Sequence, residues 1–169
     1  MIAIGRPPRT PARPGTASTC ARQRAPEAAV GIDVAAFAQL HRESWRRYAR
    51  ARLGDEAEGT RVADDALGRL AGAWDGLMRD ANPTARAWDC LRRAVGAHRP
   101  VRHGDRAHRL LPVREADAVV LHYRLGLTLT AAAALMGTDV PEVAARLVLA
   151  ERRLPQPTVR ALTLRPAHP

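Results

Sequence analysis

LTLTAAAALMGTDVPEVAARLVLAERRL, residues Leu127–Leu154, decides the fold. Its first half, Thr128–Met136, is an alanine- and leucine-rich run that favours a helix. Gly137 supplies a permissive turn, and Thr138 or Asp139 is placed to cap a second helix. Val140, Val143, Leu147, Ala150 and Leu154 then recur at helical spacing, which predicts one face packed on the first helix. Two helices joined by a short glycine turn are the layout of a DNA-reading helix-turn-helix. The charge does not follow the layout. Asp139–Leu154 holds three acids (Asp139, Glu142, Glu151) and three bases (Arg146, Arg152, Arg153), so its net charge is zero. The expected outward positions Ala144, Ala145, Val148 and Leu149 offer no donor to a phosphate or a base.

Working toward the N-terminus, Arg114–Tyr123 reads as a further helix, with Ala118, Val119, Leu121 and His122 near its inner face. It follows Leu110-Leu111-Pro112. Before it, 99–109 is an arginine-rich linker with a glycine and a proline. Asp33–Leu53 carries Val34, Phe37, Leu40, His41, Trp45 and Tyr48 on one predicted stripe. Glu58–Leu77 repeats the pattern with Val62, Ala66, Leu67, Leu70, Trp74 and Leu77. Asn82-Pro83 signals a turn and a helix start, and Thr84–His98 then turns Trp88, Leu91 and Val95 inward. Three tryptophans, one per helix, predict a shared core. Residues 1–28 are rich in Pro, Arg, Ala and Thr without periodicity and read as a disordered tail, and 155–169 as a C-terminal tail. The expected architecture is therefore all-α: a helical domain over 32–98, a basic linker over 99–109, and a helix-turn-helix domain over 110–154.

Composition sets the bounds. The chain has 169 residues, 46% of them hydrophobic but only 4% aromatic, which favours small helical modules over one large core. The net charge is +10, and all 27 basic residues are arginine. Arg6, Arg9, Arg13, Arg22 and Arg24 precede the first acid, Glu27; without them the charge falls to +5, which permits a nucleic-acid partner without demanding one. Two cysteines, Cys20 in the tail and Cys90 in a helix, do not make a disulfide framework. No apolar run is long enough to span a membrane, and the N-terminus has no apolar signal core, so the expected location is the cytoplasm. His98, His103 and His108 with Cys90 do not match a compact metal-ligand pattern. No set of nucleophile, base and orienting group and no phosphate-cradling glycine loop stands out, so neither a cofactor nor an enzyme is expected.

Four stretches resemble bacterial sigma factors of the extracytoplasmic-function type. FAQLHRESWRRYARARL, Phe37–Leu53, resembles the opening helix of region 2. ADDALGRLAGAW, Ala63–Trp74, resembles the acidic amphipathic helix that grips the polymerase clamp, and ANPTARAWDCLRRAV, Ala81–Val95, the helix that melts and reads the –10 element. LLPVREADAVVLHYRLGLTL, Leu110–Leu129, resembles the Leu-Pro-x-Arg opening and the Tyr-x-x-Gly-Leu-Ser-Leu entry to the region 4 helix-turn-helix. Together they cover roughly Ile32–Leu154. The chain departs from the family at Ala131, where an acid is usual, and at Glu142–Arg146, where a Thr-Val-Lys-Ser-Arg-like run is usual.

The resemblance implies a sigma factor that binds core RNA polymerase and directs it to promoters, with no covalent chemistry of its own. It places polymerase contacts at Asp64, Asp65, Arg69, Leu70 and Trp74. It places –10 contacts at Arg86, Arg92, Arg93, His98 and Arg99, which add cations along one helix and its end. It places –35 contacts at Thr130, Arg146, Arg152 and Arg153. Two other readings remain open. One is a sigma-derived interaction protein that binds polymerase or an anti-sigma factor without reading promoters, with Val148 and Leu149 as an apolar patch. The other is a stand-alone helix-turn-helix regulator.

Overall fold

The computed structural model describes residues 33–98, 106–155, 157, 158 and 161, and every regular element among them is helical. The expected tail over 1–28 and most of that over 155–169 lie outside the described residues, as does 99–105 of the expected linker.

Helix α1 spans Val34–Leu53 and stops at Gly54, whose N–H donates to Arg50 O at 2.8 Å. Asp55 then caps α2, Glu56–Gly72, by accepting from Glu58 N at 2.9 Å. The two helices cross closely. A Cβ at Gly59 would lie 2.5 Å from the backbone nitrogen of Arg50, so this glycine, unfavourable for an isolated helix, is what allows the approach. The expected single helix over Glu58–Leu77 breaks at Ala73, and a short α3 follows at Trp74–Met78. Asn82 caps α4, Pro83–Gly96, by accepting from Ala85 N at 2.9 Å, with the proline in the first turn where no N–H is needed.

Trp45, Tyr48, Leu91 and Val95 are fully buried between these helices. Phe37 joins two of the tryptophans, with its ring 6.1 Å from Trp45 and 5.3 Å from Trp74. Trp88 instead packs 4.6 Å from Tyr48. Leu40 corrects the predicted stripe: it is 72% exposed. At about 100° per residue, Phe37, His41, Trp45 and Tyr48 share an arc of roughly 80°, and Leu40 falls about 60° outside it.

Part of the expected linker is helical, as α5, Ala107–Leu110. Helix α6, Val113–Val119, runs into a π-helical turn at Val120–Arg124, closed by Leu125 N donating to Val120 O at 2.9 Å. The helix-turn-helix follows. Thr128 caps α7, Leu129–Met136, Gly137 takes φ 64°, and Asp139 caps α8, Val140–Arg153, accepting from Glu142 N at 2.7 Å. Val143, Leu147, Ala150 and Leu154 are buried as predicted, whereas Val140, at the first position of α8, is 36% exposed.

All these helices belong to one compact unit. Three side chains tie α1–α4 to α5–α8 through backbone oxygens. Arg47 donates to Leu125 O at 2.9 Å, Arg124 to Ala51 O at 2.6 Å, and Asn82 Nδ2 to Gly137 O at 2.8 Å. The turn of the helix-turn-helix sits directly on the start of α4: a Cβ at Gly137 would lie 2.2 Å from Ala85 N.

Gly126 and Gly137 both have positive φ, but only Gly137 faces a neighbour within contact range. Gly126→Ala should cost roughly 1–2 kcal/mol for the left-handed backbone alone. Gly137→Ala should cost clearly more, because α4 must also move. Urea unfolding of the two variants reads the difference. Gly68 lies in open space within α2, so Gly68→Ala should instead stabilise by up to about 1 kcal/mol.

Candidate functional site

On α2 the residues expected to meet a polymerase divide by face. Asp64 turns toward α1, accepting from Arg46 Nε at 3.1 Å and Nη2 at 2.7 Å, with Arg42 at 3.3 Å. This forked pair holds two helices in register. Leu70 is buried, and Trp74 is half-buried beside Phe37. Asp65 and Arg69 are exposed, Asp65 accepting from Arg61 at 2.9 Å. Of the five expected contacts, these two face outward.

On α4 the expected basic face is also divided. Arg86 is exposed, 3.9 Å from Asp80, and Arg93 is exposed with its Nε donating to Asp89 O at 3.2 Å. His98 lies at the helix end, Nε2 3.4 Å from Glu58, and Arg99 lies outside the described residues. Arg92 turns inward, 2.5 Å from Asp89 and 3.5 Å from Asp117. Burial lowers the Arg92 pKa, and the two carboxylates more than reverse this, so its charge is held firmly. Trp88 is buried against Tyr48 and offers no platform to an unstacked base.

In the helix-turn-helix, Thr130 on α7 and Arg152 on α8 are exposed. Arg153 bonds Glu115 of α6. Arg146 corrects the expectation of an outward donor: it is buried and bonds Glu142 on its own helix. The reason is spacing. Val143, Arg146, Leu147 and Ala150 stand at i, i+3, i+4 and i+7, which is the inner stripe. The outward face carries Val148 and Leu149, 46% and 42% exposed.

A polar centre joins the two helix groups, and the sequence reading did not single it out. Asp117 of α6 has no exposed side chain. Its Oδ1 accepts from Tyr48 Oη of α1 at 2.5 Å and lies 2.8 Å from His108 Nε2 of α5. Its Oδ2 is 3.5 Å from Arg92 of α4. Asp117 precedes the fully buried Leu121 by one helical turn, and that i, i+4 relation was the available signal. Beside it opens a cleft lined by Asn82, Trp88, Arg92, Arg114, Thr138 and Arg146, among others. One expected –10 residue and one expected –35 residue therefore face the same cleft from opposite sides.

No three His, Cys, Asp or Glu side chains are grouped to hold a metal ion among the described residues, and none of their helices is long and apolar enough to cross a membrane. His108 is committed to Asp117, and His103 lies outside the described residues.

At the start of α8, the Thr138 hydroxyl donates to Glu142 and Arg146 adds its charge, which together hold the Glu142 carboxyl below its ordinary pKa of 4.5. The depressed value makes a contribution to stability that is present above the unfolded pKa and lost as pH falls through the folded one. Glu142→Gln should therefore lose less stability than the parent over that acid interval, read by denaturant unfolding at stepped pH. Comparison with family models, with curated proteins and with solved structures returns no match to this chain, so its functional reading rests on its own residues.

Proposed function

We propose that this chain is a sigma-type initiation protein of extracytoplasmic-function character, with a region 2-like module over 32–98 and a region 4-like module over 110–154. It engages core RNA polymerase in the cytoplasm and carries it to promoter DNA. The observation that carries this reading is the order of elements. A helical group with an acidic amphipathic second helix is followed by a capped helix-turn-helix, with Gly137 at its turn. Asp65 and Arg69 on the outer face of α2 are the polymerase contacts this reading favours. Arg86, Arg93 and the end of α4 near His98 are the exposed basic positions for an opened –10 strand.

A specific observation favours a second reading for the helix-turn-helix. Arg146 is buried, Arg153 is bonded to Glu115, and the outward face of α8 carries Val148 and Leu149. Such a face suits a protein partner, an anti-sigma factor or a polymerase element, better than a –35 duplex. The chain would then bind polymerase without sequence-specific –35 contact.

Competition with the housekeeping sigma factor for core polymerase at physiological salt tests the first reading. Displacement at sub-micromolar concentration is expected, and no binding by the helical, folded chain would sink it. The account of the reading helix is tested by Ala145→Lys, which adds a cation at an exposed position of α8. Duplex affinity should rise, and the dependence of log K on log salt should steepen by about 1. No gain at low salt would refute the view that missing charge limits this helix.

A further inference from the structure

We propose that the cleft lined by α4, α6 and α8 binds a small phosphate anion, inorganic phosphate or a phosphate monoester, with the phosphoryl oxygens between Arg114 and Arg146. The site stands on the residues of the cleft and goes beyond the function proposed above, which gives Arg114 no contact.

The cleft has a volume of about 230 Å³. That is below the roughly 300–1,000 Å³ of sites for drug-sized ligands, so its occupant is small. Trp88 and Met136 give it an apolar part, and Arg92, Arg114 and Arg146 line it from three helices. Asp89, Asp117 and Glu142 line it too, so the formal charges cancel. What differs is how far each group is already satisfied. Asp89 Oδ1 accepts from Arg92 Nε at 3.1 Å and Nη2 at 2.5 Å. Asp117 is held by Tyr48 and Arg92 and faces His108. Glu142 accepts from Thr138 at one oxygen and from Arg146 at the other.

The donors are not matched in this way. Arg114 is exposed and forms no ion pair with a described residue. The Arg146 side chain is only 10% exposed, yet among the described residues it bonds Glu142 through Nη2 alone, and its Nε and Nη1 have no partner. Trp88 is 3% exposed, and its Nε1 has no acceptor. The spare capacity of the cleft is therefore for acceptors, which is what an oxyanion supplies. One guanidinium can saturate a planar carboxylate, whereas a phosphoryl group has oxygens for two guanidinium groups from different helices. Ala85 and Glu142, in the first turns of α4 and α8, also line the cleft, so two helix N-termini add partial positive charge. A backbone diester, with a sugar on each side of its phosphate, fits so small a space less well than a terminal phosphate does.

Glu142 is the internal rival for this position. Arg114 and Arg146 both act on its carboxylate, and its side chain is 48% exposed, so it can turn outward as phosphate enters.

Calorimetric titration of the full chain with inorganic phosphate and with glycerol 3-phosphate, at ionic strength held constant with chloride, tests the site. Both should bind saturably at one site. Arg114→Ala and Arg146→Met should each weaken binding about tenfold, the loss of one charge-assisted contact. Glu142→Gln, which removes the rival charge, should strengthen it severalfold. Arg61→Ala, at an exposed position of α2 outside the cleft, should leave it unchanged. If Arg146→Met loses its helical circular dichroism, the exposed Arg114→Ala decides. No saturable binding by the parent would overturn the site. So would equal weakening by Arg114→Ala and Arg61→Ala, which would mark diffuse attraction to a basic protein. A short DNA duplex that displaces phosphate as well as glycerol 3-phosphate does would also overturn it, and would make the cleft part of a nucleic-acid surface.

Discussion

A carboxylate with no exposed surface must be satisfied by its neighbours, and Asp117 imposes that condition on three other helices. Tyr48 points its hydroxyl at Asp117, and its ring then lies against Trp88. Arg92 turns away from solvent, so α4 presents fewer cations than its sequence contains. His108 ties α5 to α6. One buried charge thus bears on an aromatic pair, the charge on one helix face and the packing of α5 on α6.

The same economy runs through the arginines. A net charge of +10 suggests a broadly basic surface, yet many of the described guanidinium groups bond within the fold. Arg42 and Arg46 hold Asp64, Arg61 holds Glu58 and Asp65, Arg146 holds Glu142, and Arg153 holds Glu115. Arg47 and Arg124 use backbone oxygens instead. Internal partners reduce what is left for phosphates, and the helix-turn-helix shows it most clearly. The outward face of α8 offers Arg152 beside the exposed apolar Val148 and Leu149.

Local signals were legible where one residue fixes one backbone event. Gly137 and Asp139 mark the end of α7 and the start of α8, and Asn82-Pro83 marks the start of α4, because caps and left-handed turns act within a few residues. The inner face of α8 is legible from its apolar spacing, and the same spacing carries Arg146 inward despite its charge. Leu40 lies off the stripe because helical angle, not apolarity, decides which face is buried. The break at Ala73 and the π turn at Val120–Arg124 leave no signature in the apolar spacing. Asp117 shows the same limit: its partners lie at 48, 92 and 108, and only the fold brings them together. Of the candidate site, Asp65, Arg69, Arg86, Arg93, Thr130 and Arg152 are exposed, while Asp64, Leu70, Arg92 and Arg146 serve the interior.

Asn82 uses both ends of one amide. Its oxygen begins α4 by accepting from Ala85, and its nitrogen holds the carbonyl of Gly137. The first turn of α4 and the bend of the helix-turn-helix are thereby geared together. An aspartate could supply the cap but not the second bond, since a carboxylate has no hydrogen to donate. Torque on α8 is therefore shared with α4 through this amide and through the close seat of Gly137 against Ala85, as in a stiff lever rather than a free joint.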